Sequence, residues 1–399
     1  MSATFNNLSS AAEKRAASLI YTASFSYMIS LGSMQVLVPL YGLHLGYDIK
    51  ALGLILSAQA VLPIFTRFFA GAIADAFGDR YVLWFSFSAM IAGAGVFALS
   101  GVFWALIAAQ TLQGMSRSTY WAVTQSYASR INPDMAATRL GRLSSSGNAG
   151  SIIGTALSGF LAFGPGYGLA FGVVAAFALI GLVGSIGLPV LPRPRTKRNF
   201  KTAMAPIANV ASSRSMGMAG VSAFVGSTST MLGIILIIPF MKDALFNESE
   251  IGIARTLTAV GSLTAGLLFG KLMSRMGLMR LQSAAFGLQG LTFLVVPLMA
   301  SHFASGLPIM YIYGVFAGLM GSLYPMTVTT FSRPEQRGTA MAYAGQFWGL
   351  AQLLIPTTFG FLAAAAGLDA SLYISGFIFI GLALVTPVMY SQLTKHGVK

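Results

Sequence analysis

The stretch GLAFGVVAAFALIGLVGSIGLPVL, residues 168–191, decides the fold. It carries no charge over more than the roughly 20 apolar residues that a helix needs to cross the hydrocarbon core of a bilayer. Inside a bilayer every backbone N–H and C=O must find its partner within the protein, so a run of this kind is helical. Similar runs recur on both sides of it, from near Leu19 to near Tyr390, each ended by a short polar or charged stretch. Composition agrees: 55% of the 399 residues are hydrophobic and 9% charged, where an average soluble domain has about 25% charged. Spans are predicted near 18–41, 51–73, 81–100, 102–128, 142–163, 168–191, 215–240, 251–273, 280–300, 306–330, 338–364 and 370–390. The predicted fold is therefore an all-α membrane protein of twelve transmembrane helices. Residues 1–10 are polar and the first apolar run is of spanning length, so no cleaved signal peptide is expected.

The net charge of +14 follows from topology. With an even number of spans both termini lie on one side of the membrane. If that side is cytoplasmic, twenty of the basic residues fall on it, against Lys50, Lys242 and Arg255 outside and Arg117 within a span. Such a bias is the positive-inside signature and predicts a multi-pass protein of the inner (plasma) membrane with cytoplasmic termini. Nucleic acid is not an expected partner, because the basic charge needs no further explanation. The chain has no cysteine and its three histidines, His44, His302 and His396, are scattered. Neither a metal centre nor another cofactor is expected.

The longest polar break, rich in Pro and Arg, runs from Pro192 to Arg214. It divides the chain into an N-terminal six-helix half (1–191), a cytoplasmic basic linker (192–214) and a C-terminal six-helix half (215–399). The halves are related. GAIADAFGDR (71–80) follows the second span as GKLMSRMGLMR (270–280) follows the eighth, with Gly71 matching Gly270 and Gly78 matching Gly277. Gly114, Ser118 and Tyr120 recur as Gly318, Ser322 and Tyr324. Two pseudo-symmetric bundles are the expected result, an arrangement common in secondary transporters.

Over essentially its whole length the chain resembles the major facilitator superfamily. The motif that carries the resemblance is Gly71-Ala-Ile-Ala-Asp75-Ala-Phe-Gly78-Asp79-Arg80, similar to the family's loop between the second and third spans. It departs at Ala76 and Asp79, where the family often has basic residues. Gly71 permits close helix approach, Gly78 a tight turn, and Asp75 an ion pair or a helix N-terminus. Gly71, Asp75, Gly78 and Arg80 are the expected gating residues. The segment MQVLVPLY (34–41) is similar to the end of the first span in the drug-exporter branches. Gln110 stands where the family pattern has an arginine associated with proton coupling. In the fifth span Gly150 to Thr155 lacks the proline of the antiporter motif, while Gly147, Gly150 and Gly154 still permit close packing.

A charge within a span costs about 2.5–3.5 kcal/mol on insertion scales and is a functional hypothesis by default. Arg117 lies near the middle of the fourth span, with Gln113, Tyr120 and Trp121 three or four residues away on one polar, aromatic face. These four are expected to bind substrate. Gln35, Asn148, Gln346 and Trp348 are expected to line the same path, although interhelical hydrogen bonding explains each alone equally well. Arg255, one turn inside the eighth span, is expected to snorkel outward or to pair with Glu248 or Glu250. All ten carboxylates fall in predicted loops or termini, so no titrating acid is placed for proton coupling.

These features imply a monomeric carrier of a small-molecule substrate in a lipid bilayer, working by alternating access. Efflux of amphipathic compounds follows from the resemblance. An organic-anion exchanger or facilitator using Arg117, and a non-transporting receptor or scaffold, remain as alternatives. An enzyme would need a catalytic constellation that the spans do not contain.

Overall fold

The computed structural model describes residues 10–191, 214–332 and 337–395, and no strand occurs among them. The linker segment 192–213 lies outside the described residues. The helices are α1 (Ser10–His44), α2 (Ile49–Phe77), α3 (Asp79–Leu99), α4 (Phe103–Ile131), α5 (Ala136–Phe163) and α6 (Tyr167–Ile186). They continue with α7 (Arg214–Leu232), a π-helical turn (Gly233–Ile237), α8 (Ile238–Asp243), α9 (Glu248–Val295), α10 (Phe303–Phe331), α11 (Arg337–Ala366) and α12 (Leu368–Lys395).

Among the described residues, eight helical stretches are long and apolar enough to cross a membrane. The expectation of twelve spans is met in part. In α2 the side chains beyond Phe65 lie outside the described residues, and the described stretch Ile49–Phe65 is apolar but shorter than a span. Both α4 and α5 fall short because they carry Gln110, Gln113, Arg117, Gln125, Arg139, Arg142 and Asn148. Residues 251–273 and 280–300, expected as two spans, belong to one helical run that is broken at Gly277 (φ 72, ψ 166).

Backbone geometry repeats along the chain. Positive φ occurs at Gly46 and Leu245, at Gly78 and Gly277, and at Gly166 and Gly367, pairs separated by 199, 199 and 201 residues. The caps beside the first pair repeat as well. Asp48 Oδ1 accepts from Ala51 N at 2.8 Å, and Asn247 Oδ1 accepts from Glu250 N at 2.9 Å.

Leu245 is the one non-glycine residue in these turns, at φ 64 and 91% exposed. A left-handed L-residue costs about 1–2 kcal/mol, and a side chain this exposed loses no packing when removed. Leu245→Gly, the residue found at position 46, is therefore expected to stabilise the protein by about 1 kcal/mol, read as a raised midpoint of thermal unfolding in detergent.

The chain separates into two compact units: Met1–Leu37 with Val61–Lys197, and Val38–Ala60 with Arg198–Lys399. The C-terminal end of α1 and the first part of α2 thus belong to the second unit. There Ser57 Oγ accepts from Thr357 Oγ1 at 2.8 Å. A Cβ on Gly53 would come within 2.4 Å of the Pro356 carbonyl oxygen, so α2 and α11 lie backbone to backbone.

Candidate functional site

In the first unit α1 and α5 touch along a line of glycines. A Cβ on Gly150 would lie 2.3 Å from Phe25 O, and one on Gly154 2.2 Å from Ile29 O. Such contact lets donors bridge helices: Ser33 Oγ donates to Gly154 O at 2.9 Å, and Ser146 Oγ to Tyr21 O at 2.8 Å. Packing of small residues substitutes here for the hydrophobic effect, which draws no helix to another within lipid.

A hydroxyl chain joins α1, α4 and α3. Ser116 Oγ donates to Ser86 O at 2.6 Å, so its proton is spent and the Tyr27 hydroxyl is the donor in the 2.9 Å bond to Ser116 Oγ. The Tyr27 ring stacks on Tyr120 with centroids 3.7 Å apart and planes 7° from parallel. Both tyrosines are buried. Trp121 meets Tyr120 edge-on at 5.6 Å and points its other side away from this core, being 39% exposed.

Beside this core α1, α4 and α5 line a partly open recess of about 200 Å³. Each helix supplies residues four apart, which share one face: Ser24 and Met28 from α1, Trp121 and Gln125 from α4, and Leu140, Ser144 and Asn148 from α5. Among the described residues, no charged side chain lines it.

Of the residues expected to bind substrate, Trp121 and Asn148 meet in this recess. Tyr120 is instead buried in the stack with Tyr27, and Gln113 packs on α3, where its Cγ would be 3.0 Å from a Cβ on Gly93. Arg117 is half-buried one turn before Trp121 and lies within electrostatic range of the Tyr27 hydroxyl. Gln35 is half-buried on α1, two turns beyond Met28. Gln346 and Trp348 belong to the second unit. There the Trp348 ring lies 5.3 Å from Tyr324, its carbonyl accepts from Ser227 Oγ at 2.9 Å, and the half-buried Gln346 has an Oε1 without a hydrogen-bond partner among the described residues. Sequence reasoning missed Ser24, Met28, Gln125 and Ser144. Their four-residue spacing to Trp121 or Asn148, or to each other, was the available signal.

The expected gating residues lie at the α2–α3 turn. Gly78 takes φ 88, a value closed to most side chains, and so permits the reversal into α3. Gly71 and Asp75 fall in the stretch of α2 whose side chains lie outside the described residues. Arg80 Nη2 donates to Ile186 O, the last carbonyl of α6, at 2.6 Å, and its guanidinium lies 5.3 Å from the Trp84 ring centroid. Asp79, 6% exposed, pairs with Arg130 of α4 at 2.6 Å, and Tyr127 donates to Pro189 O at 2.7 Å. This cluster ties α3, α4 and the end of α6 together within one unit. A second ion pair joins Arg139 of α5 to Glu13 of α1.

Arg255 departs from expectation. It is 6% exposed, and its one hydrogen bond among the described residues runs from Nη1 to Gly233 O in the π turn at 3.4 Å. The acids expected to hold it are engaged elsewhere: Glu248 accepts from Lys242 at 2.5 Å, and Glu250 closes the capping box with Asn247. The carbonyl that it meets belongs to the π turn after α7, a feature of backbone geometry that no side-chain pattern announces.

Residues 20–221 and again residues 218–396 match the model of the Major Facilitator Superfamily. Among solved structures, a mutant of the nucleoside transporter NupG is similar over 94% of this chain and 99% of its own, with TM-score 0.81 and 15% identity. A POT family transporter in complex with a thioalcohol-conjugated peptide is similar over 95% and 97%, with TM-score 0.78 and 14% identity. A bacterial homolog of the human lysosomal transporter Spinster is similar over 97% and 98%, with TM-score 0.73 and 14% identity. At these identities the likeness is one of fold. No curated protein matches the sequence. The family match takes in both repeats and nearly the whole chain, and the chain therefore belongs to the Major Facilitator Superfamily: it is a membrane transporter and not an enzyme.

Proposed function

We propose that this transporter is an alternating-access carrier that exports small amphipathic organic solutes. Its twelve spans form two pseudo-symmetric six-helix halves, 1–191 and 215–399, joined by a basic cytoplasmic linker at 192–214. The protein is a monomer of the inner (plasma) membrane with both termini in the cytoplasm, as the positive-inside bias supports. The observation that carries the reading is the recess between α1, α4 and α5, where an exposed indole and two carboxamides converge beside aliphatic walls. Apolar surface with a few placed polar groups is the usual make-up of a small-molecule site. The test is flux in proteoliposomes across a panel of cationic, neutral and anionic amphipathic compounds. Absence of flux of every compound, from protein that elutes as a folded species, would remove the carrier and leave a receptor or scaffold.

A second reading, movement of organic anions by exchange or facilitation, is favoured by one observation: Arg117 is half-buried near the middle of α4, on the same face as Trp121. Arg117→Ala is expected to lower anion flux at least tenfold, the equivalent of about 1.4 kcal/mol, if this guanidinium binds the solute. Unchanged flux would reduce Arg117 to a packing residue. The described carboxylates all sit in loops, caps or first and last helical turns, which supports coupling to something other than protons. Collapse of the pH gradient at constant membrane potential is accordingly expected to leave flux within about twofold, and a larger loss would mean that a titrating group acts within the bundle.

A further inference from the structure

We infer that the recess of the first unit selects an uncharged, single-ring aromatic solute that carries an amide-type donor–acceptor edge. The inference rests on the carrier reading above for its biological sense, but not for its physical argument, which concerns three properties of the recess.

The first property is size. A cavity of about 150 Å³ holds benzene, so the recess of about 200 Å³ has room for one ring with a short substituent. The second is the stacking surface. Trp121 is edge-on to Tyr120 and 39% exposed, so part of its indole surface remains for a ligand while Tyr120 fixes its angle. Aromatic pairs gain about 0.5–1.5 kcal/mol beyond their buried area. Met28 and Leu140 add polarizable and aliphatic surface to the lining.

The third property is the set of polar groups. Gln125 and Asn148 come from different helices, and neither makes a hydrogen bond to protein among the described residues. Each carboxamide offers one acceptor oxygen and two N–H donors, a set that matches a solute presenting C=O and N–H side by side. Ser24 and Ser144 add hydroxyls that serve as either donor or acceptor. Nothing in the lining compensates a full charge. The neighbouring cations lie outside the lining: Arg117, one turn along α4, Arg139, adjacent to Leu140 and already paired with Glu13, and Arg142, adjacent to Leu143 and exposed. A carboxylate or an amidinium would give up hydration against neutral dipoles, a loss that an uncharged amide largely avoids.

Three probes of nearly equal shape separate the cases: benzamide, benzoate and benzamidine. Equilibrium binding of each to the purified protein in detergent is measured with radiolabelled benzamide and by competition. Benzamide is expected to bind at least tenfold more tightly than either ion. Gln125→Leu and Asn148→Leu are each expected to weaken it about fivefold, the worth of one net hydrogen bond. Gln125→Glu is expected to reverse the order in favour of benzamidine, an effect that general loosening of the fold would not produce. Benzoate binding as well as or better than benzamide, unchanged affinity in both leucine variants, or no saturable benzamide binding at millimolar concentration would each overturn the inference. Because binding is read at equilibrium, the two readings fail separately. Benzamide binding without flux removes the carrier and keeps the recess, whereas flux of other solutes without benzamide binding does the opposite.

Discussion

Gly314→Ala is expected to cost the second unit about 3 kcal/mol, at the upper end of what a single added methyl group does to a packed interior. The reason is that the obstacle is backbone. A Cβ at position 314 would lie 2.1 Å from Thr258 O and 2.7 Å from that residue's Cα and carbonyl carbon. No rotamer change relieves such a contact, so α9 and α10 must separate by about 1 Å to restore van der Waals distance. The separation spreads, because Gly261 already faces Tyr311 O and Gly318 faces the Ser262 Cα across the same crossing, at 2.2 and 2.6 Å from their virtual Cβ atoms. Dispersion is lost along the whole line, and in lipid there is little else to hold two helices together. Gly321→Ala on the same helix meets nothing within 4 Å and is expected to change stability by less than about 0.5 kcal/mol, or to raise it slightly through helix propensity. The double variant Gly261→Ala with Gly314→Ala is expected to cost less than the sum, since the first methyl already opens the space the second needs. Thermal unfolding in detergent, followed by size exclusion, measures the unaltered protein, the single variants Gly261→Ala, Gly314→Ala and Gly321→Ala, and the double variant. A Gly314→Ala variant that melts with the unaltered protein would show that the crossing yields more easily than its distances imply.

Glycine spacing of this kind was legible in the sequence, and so was most of the frame it serves. Gly147, Gly150 and Gly154 repeat at helical intervals, and that interval alone puts them on one face. The structure sets that face against α1 at Phe25 and Ile29. Gly78 and Gly277 were paired by local sequence, and both take left-handed φ. What stayed hidden was how polar spans compensate. Nothing in α4 or α5 alone reaches the apolar threshold that α6 passes, because their serines and glutamines are meant for protein neighbours, not lipid.

The site was legible one helix at a time. Spacing on α4 joined Gln113, Arg117 and Trp121 on one face, yet a helix face is wide enough to meet two neighbours. Gln113 turned to Gly93 of α3, and Trp121 to the recess with α5. Asn148 was selected for its polarity, and Gln125, one turn beyond Trp121, was not, although the two share the same cavity. Which helices adjoin is a property of the fold. Local pattern proposes faces, and only packing chooses among them.

Arg255→Met is expected to stabilise the protein by about 2 kcal/mol, the reverse of the usual effect of altering a buried residue. The guanidinium is 6% exposed and lies among groups that offer it little. Its one hydrogen bond among the described residues, to Gly233 O, is long at 3.4 Å, and its Nε has no partner. Tyr313, the nearby hydroxyl, gives its proton to Ser229 O at 2.5 Å. Taking an ion out of water into a protein interior costs several kcal/mol, while a net hydrogen bond returns about 1 kcal/mol. Methionine keeps most of the volume, removes the charge and leaves one carbonyl in the π turn without its side-chain donor. Arg255→Ala removes the charge too, but opens a cavity whose cost, about 2–5 kcal/mol for a large buried side chain, cancels the gain. The alanine variant is therefore expected to melt below the methionine variant by a margin equivalent to about 3 kcal/mol. Gly233 leaves no room for a compensating shift, since a Cβ there would lie 2.3 Å from the Tyr313 hydroxyl and 3.2 Å from Arg255 Nη1. Should Arg255→Met instead lose stability, the guanidinium must hold the π turn open more strongly than one long hydrogen bond accounts for. The π segment Gly233–Ile237 would then relax toward an α-helix in the variant. Single cysteines placed along 233–243 of a chain that has none of its own would report that change as a shifted pattern of thiol accessibility.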